Sequence, residues 1–463
     1  MLNGYNAECS GYDSHIKIGT TMKRVFLTTT IAASLLWMAS AAQAETLLQV
    51  YQQAKTYDAQ LKSQESSYLA TLENKPQALA AKKPQVSFNA NASFSEQYTP
   101  YDGLSKNSNG LNSTYTLGVT KSLYNRALDA QIDKVDSQIA QAGMQLDAQR
   151  QALFLRVAQP YFSYLLAKEN LNVASNEKNA IKRQLAQAQA FFDVGRSAIT
   201  DVKEADSRYN LAVTGEIAAK ESLDIARENL RVLTGKSYKD LLGPQPNLAL
   251  LVPKPQNMDA WVETAKRSSK SLQAARQAIE VAQKEIEIQR TSERNPVVNL
   301  YARQTGSITE SSSSTLDPRV LGANVGVEVN IPIYQGGAEA SKIRQAQHQF
   351  RQTQQEYDYQ ERLIEQQVRS AYLSIESAIS QVKAQQRALA ASETAAEATK
   401  VGFEVGTRTA VDVLTALRDV FAARRDYANA RYNYLLSTLQ LRQAAGTLSE
   451  NDIKQLSAQL NRK

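Results

Sequence analysis

Phe192-Asp193-Val194-Gly195-Arg196-Ser197-Ala198-Ile199-Thr200-Asp201-Val202 and Phe403-Glu404-Val405-Gly406-Thr407-Arg408-Thr409-Ala410-Val411-Asp412-Val413 write one pattern twice, 211 residues apart. The same offset pairs Leu230-Arg231 with Leu441-Arg442, Gly235 with Gly446, Tyr161 with Tyr372, Leu61 with Leu272 and Ala54 with Ala265. Near the expected strands it drifts by one residue, Tyr124 matching Tyr334 and Pro84 matching Pro296. An offset held this far along a chain is the mark of a tandem duplication.

Outward from each copy of the pattern run two very long helices. Between Arg126 and Asp193 the only glycine is Gly143 and the only proline is Pro160, which should kink the helix rather than end it. At 1.5 Å per residue this segment would be roughly 100 Å long. Ile364, Val368, Tyr372, Ile375, Ile379 and Val382 step by four and three, while Val413, Val420, Tyr427, Tyr434 and Leu441 step by seven. A sustained seven-residue step asks for helical neighbours along the whole length, as in a coiled coil.

Each half also carries two strands before its long helices. Val86, Phe88, Ala90, Ala92 and Phe94 alternate with Ser87, Asn89, Asn91, Ser93 and Ser95. Ala323, Val325, Val327, Val329, Ile331 and Ile333 alternate in the same way with Asn324, Gly326, Glu328, Asn330, Pro332 and Tyr334. Period two over about ten residues gives one apolar and one polar face, at a length that suits a tilted membrane-spanning strand. Polar stretches from Asp102-Gly103 through Asn109-Gly110, and from Ser311 to Asp317-Pro318, read as exposed loops. Four strands cannot close a barrel, and an open sheet leaves unsatisfied edges in lipid. Two chains would give eight strands with a filled interior; three would give twelve and a lumen. The asparagine, serine and glutamate on the polar strand faces suit a wet interior.

The 463 residues carry a net charge of +7 and 43% hydrophobic residues, and the mean hydropathy is negative. That excludes a polytopic helical membrane protein but not a β-barrel, whose strands barely register in hydropathy. One apolar segment stands out: Lys23-Arg24, a core around Ile31-Ala32-Ala33-Ser34-Leu35-Leu36-Trp37-Met38, and Ala42-Gln43-Ala44 before Glu45. A basic start, an apolar core and a small-x-small end make a secretory signal. Met22 is then the expected initiator, residues 1–21 an over-extended start, and Glu45 the first mature residue. The only cysteine, Cys9, falls in that extension, so the mature chain has no disulfide and no thiol nucleophile. Losing 1–44 removes three basic and two acidic residues and leaves +6 on 419 residues, weak support for a nucleic-acid partner.

The expected organisation is therefore an extension (1–21), a signal peptide (22–44), a first repeat (45–234), a proline-rich connector (235–256), a second repeat (257–446) and a C-terminal tail (447–463). The connector holds Pro244, Pro246, Pro253 and Pro255, which block a continuous helix. Its Gly235-Lys236-Ser237 lacks the glycine five residues earlier that a phosphate-binding loop needs, since Leu230 stands there. The fold class is an α+β membrane protein, a very long helical coiled-coil barrel joined to a transmembrane β-barrel. It would have four strands per chain and twelve in a trimer.

Phe403-Glu404-Val405-Gly406-Thr407-Arg408-Thr409-Ala410-Val411-Asp412-Val413-Leu414, with Ala430-Arg431-Tyr432-Asn433-Tyr434 and Ala445-Gly446-Thr447-Leu448, closely resembles the TolC family of outer-membrane export ducts. The resemblance spans essentially the whole mature chain. It implies a homotrimer embedded in outer-membrane lipid, with its helical barrel in the periplasm. It also implies docking to a periplasmic adaptor protein and to an inner-membrane pump or ABC transporter that powers efflux or toxin secretion. Asp412 matches the family's aspartate ring at the periplasmic entrance, and Arg408, Thr200 and Asp201 match the polar links that hold the entrance closed. Thr415 stands where relatives have a second entrance aspartate, and Phe403 where they have a gate tyrosine. One carboxylate ring should bind cations more weakly, and a phenyl ring supplies no hydroxyl.

Asp201 and Asp412 each admit two readings, a helix cap beside a turn or a gate carboxylate. Glu204 after Asp201 has capping-box spacing. Gly195 and Gly406 read as left-handed turn residues. With Val194, Val405 and Thr407 they also make bare tips against which an adaptor helix could pack. His348 is the only histidine of the mature chain, too few for a metal site or a catalytic triad, and the run Ser311–Ser314 has no base nearby. No catalytic constellation and no cofactor is expected. The competing reading is a periplasmic or surface coiled-coil structural protein, such as an adhesin, without a through-pore.

Overall fold

The computed structural model describes residues 45–101, 104–244, 249–311 and 319–461. The expected extension with Cys9, the signal segment, Asp102-Gly103, Pro246 and the residues from Ser312 to Pro318 lie outside them. In the first half, α1 (Leu47–Tyr57), α2 (Ala59–Leu72) and α3 (Asn74–Ala80) lead to β1 (Gln85–Tyr101) and β2 (Leu104–Tyr124). The long pair α4 (Arg126–Asp193) and α5 (Ile199–Thr234) follows. The second half repeats the order with α6 (Met258–Ser268), α7 (Lys270–Arg294), β3 (Val297–Ser311), β4 (Arg319–Asn330), α8 (Ala338–Glu404) and α9 (Ala410–Ala444). A last helix, α10 (Glu450–Asn461), lies in the tail.

The long helices form as the absence of breakers predicts. α4 runs unbroken for 68 residues through Pro160, and α8 for 67. Their cohesion is tertiary. Ile364, Val368, Tyr372, Ile375, Ile379 and Val382 are all buried on α8, and Val413, Val420, Tyr434 and Leu441 on α9. The main core gathers where both halves meet, around Leu47, Leu153, Val157, Tyr161, Leu230, Tyr372, Leu435, Leu441 and Ile453. Tyr51 stacks on Phe154 there at 4.4 Å, and burial pushes the Tyr51 hydroxyl up to about 12.

Tyrosines tie the connector to this core. The Tyr161 hydroxyl donates to Leu242 O at 2.7 Å and that of Tyr164 to Lys239 O at 2.9 Å. The Tyr434 hydroxyl accepts from Leu251 N at 2.7 Å. These bonds satisfy backbone groups of a segment that has no helix among its described residues. Farther along α4 the core thins to small clusters, Val173, Ala180 and Phe421, then Ile181, Ala188, Val202, Ala205 and Leu414. An ion pair of Glu177 with Arg425 at 2.8 Å crosses from one half to the other.

The four strands form one antiparallel meander in the order β1-β2-β3-β4. Pairings such as Phe88↔Leu117, Val119↔Ala302 and Ala302↔Val325 bring the apolar alternation of the strands to one face, on which Gln304 opposite Leu117 is a polar exception. Serine, asparagine and threonine fill the other: Asn89↔Thr116, Thr116↔Thr305 and Thr305↔Gly322. The apolar face is bare, with Phe88 66% and Val325 75% exposed. From Val86 to Phe94 it measures about 27 Å along the strand, close to the roughly 25 Å apolar band of outer-membrane barrels. No described helix is long and apolar enough to cross a membrane.

Two sequence expectations need correction. The stretch through Asn109-Gly110 is strand, not loop, because β2 starts at Leu104 and pairs with β1 from Tyr101↔Leu104 onward. Backbone bonds hold that ladder whatever the side-chain polarity. In the other direction β4 ends at Asn330, so Ile331 and Ile333 are not strand. Pro332 has no amide to donate, which ends the ladder where the apolar alternation continues.

Candidate functional site

The two hairpin turns end their helices in the same way. At the first, Gly195 N donates to Phe192 O at 2.9 Å and Arg196 N to Phe191 O at 2.7 Å. At the second, Gly406 N donates to Phe403 O at 3.0 Å and Thr407 N to Gly402 O at 2.8 Å. These pairs are the two bonds of a Schellman motif, which needs a left-handed residue; Gly195 and Gly406 have φ of 73° and 82°. Val194, Val405 and Thr407 are exposed beside them, and nothing lies within 4 Å of where either glycine would carry a Cβ.

The starts of the returning helices differ. Thr409 caps α9: its hydroxyl accepts from Asp412 N at 3.2 Å, and the Asp412 carboxylate accepts from Thr409 N at 2.9 Å. This is a complete capping box, with Asp412 as its third-position partner. The bonds from the Thr409 amide and hydroxyl, helped by the nearby Arg408 charge, hold the Asp412 carboxyl below the usual carboxylate range. At the first turn the N-cap is Ala198, which has no side chain able to cap. Asp201 therefore does not cap α5 and forms no box with Glu204. It sits in the first turn, where its charge suits the helix dipole, while Glu204 pairs with Arg208 at 2.8 Å.

The tips touch through Phe403, which the resemblance placed at the gate, and through Phe191 and Arg196, which the sequence reading did not single out. The rings of Phe191 and Phe403 lie 6.0 Å apart, and the Arg196 guanidinium carbon stands 4.9 Å from the Phe191 centroid. Phe403 corresponds to Phe192, but the repeat equivalents of the other two are unlike them: Gly402 stands where Phe191 does, and Thr407 where Arg196 does. That break in the repeat was the readable signal. A Cβ on Gly402 would meet Arg408 Cγ at 2.8 Å, so the Arg408 stem lies along the bare glycine. Among the described residues no hydrogen bond or ion pair joins Thr200 or Asp201 to Arg408 or Asp412 of the same chain. His348 is exposed on α8.

The chain matches the family described as outer membrane efflux protein over residues 50–236 and 261–447, one segment in each repeat. It belongs to that family. Among relatives, it is 33% identical over 434 residues to the outer membrane protein TolC of Vibrio cholerae, covering 93% of this chain and 97% of the relative. It is 28% identical to the alkaline protease secretion protein AprF of Pseudomonas aeruginosa, over 95% of this chain and 92% of that one. The CmeC outer membrane channel of Campylobacter jejuni superposes with a TM-score of 0.71 at 16% identity, covering 99% and 98% of the two chains. The efflux-protein fold of long helical hairpins and a β-domain is thus shared across the full length. The outer membrane is the compartment of this chain.

Proposed function

We propose that three copies of this efflux-family chain close into one duct, through which cargo leaves the periplasm while an energised partner does the work. The observation that carries the reading is the open four-stranded sheet, apolar on one face and polar on the other. In lipid such a sheet needs its β1 and β4 edges paired, and three copies supply the twelve strands that leave a lumen. The helices support the same closure. α5 leaves Leu211, Ala218, Ile225 and Val232 exposed at steps of seven, an apolar seam open at the surface of the single chain. α8 leaves Ser380, Ala384, Ala388, Ala391, Ala395 and Ala398 exposed at steps of three and four, a small-residue groove whose distance from the tips partly overlaps that of the seam. Large side chains of one copy would fit the groove of the next.

In this duct Asp412 of three chains forms a carboxylate ring at the periplasmic mouth, with Phe403 beside it. Arg408, Thr200 and Asp201 supply polar links between neighbouring hairpins. The tips at Val194, Gly195, Val405, Gly406 and Thr407 receive a periplasmic adaptor, itself tied to an inner-membrane pump or ABC transporter. Similarity to a protease secretion protein extends the cargo from small molecules to proteins. Purified protein in planar bilayers tests the duct: stepwise, long-lived conductance is expected. Stable incorporation without conductance would instead favour the adhesin-like structural reading.

A further inference from the structure

We infer that Phe191 and Phe403, backed by Arg196, form an intrachain clasp that holds the second hairpin tip against the first and keeps the mouth closed. The inference rests on the duct reading above and adds residues to its gate. Three features converge. The Phe191 and Phe403 rings meet at 6.0 Å with an interplanar angle of 32°, an aromatic pair bridging two hairpins at their free ends. Arg196 lies 4.9 Å from the Phe191 centroid, so its guanidinium adds a cation–π contact. Arg196 is placed there by the turn itself, since its amide donates to Phe191 O at 2.7 Å.

This part of the molecule has little other cohesion. The last apolar cluster between the hairpins is small, and beyond Ala188, Val202 and Val413 the tip residues are exposed or half-buried. A single aromatic contact therefore carries a large share of what joins the tips. Phe403 has no hydroxyl for a polar link, and its ring packs instead. The clasp contains no titratable carboxylate, so it should hold across mildly acidic pH.

The test uses the full-length protein in planar bilayers. Phe191→Ala and Phe403→Ala should each raise mean conductance about fivefold or more, the scale of losing an aromatic pair. The double variant should add little to either single, because both remove one contact. Phe403→Tyr keeps the ring and should stay near wild type, and Arg196→Gln should show a smaller rise than either alanine. Wild-type conductance with unchanged single variants overturns the clasp, as does a double variant equal to the product of the singles. An independent reading comes from Phe191→Cys with Phe403→Cys, joined by a short cleavable thiol reagent. A link within one chain that holds conductance low until cleaved supports the clasp; failure to link overturns it. A wild type that never conducts removes the duct instead, and the linking result still decides whether the tips meet.

Discussion

At the scale of single residues, Asp412 does two jobs with one carboxylate. It closes the capping box of α9 and, in the proposed trimer, presents charge to the mouth. Because its folded-state pKa is lowered by its bonds to Thr409, the capping contribution is present at neutral pH and is lost only as pH falls through that depressed value. Block of the channel by multivalent cations should therefore persist from pH 8 to pH 5. Asp412→Asn should weaken block at every pH in that window, measured as the concentration for half-block in planar bilayers; unchanged block would remove Asp412 from the ring. The two glycines of the turns were legible in the sequence because a tight helical return needs a left-handed residue. The cap was not. Asp201 and Asp412 occupy equivalent places in the repeat, yet only one has a threonine three residues earlier, and Ala198 leaves the other without a partner.

At the scale of elements, the long helices and their packing faces follow directly from spacing, since the residues at steps of three, four and seven are those the fold buries, all but the half-buried Tyr427. Strand ends were harder to read, because two signals compete there. Polar Asn107 and Ser108 are strand because the ladder with β1 continues through them, while Ile333 is not because Pro332 breaks the ladder. The exposed seam on α5 yields a prediction that belongs at this scale. Ile225 is 55% exposed in its own chain, so Ile225→Glu should leave the chain's helical content unchanged. It would place a charge in the interface between copies and should lower the yield of assembled trimer severalfold, read by size-exclusion chromatography in detergent. Full assembly of that variant would show that α5 is not an interchain helix.

At the scale of the whole molecule, a duplicated chain supplies half-structures that neither half can complete. Each repeat contributes a strand pair and a helical hairpin, and the sheet joins the two through β2 and β3. Among the described residues of one chain the β1 and β4 edges are still unpaired, with an apolar face open to its surroundings. Duplication and alternation were legible in sequence as a 211-residue offset and a period of two. The clasp between Phe191 and Phe403 was not, because it joins positions that do not correspond in the repeat. The central claim is that three chains share one barrel, and native mass spectrometry of the purified protein in detergent tests it most directly. The account predicts a mass of three chains that persists on dilution; a stable monomer, dimer or tetramer would contradict it.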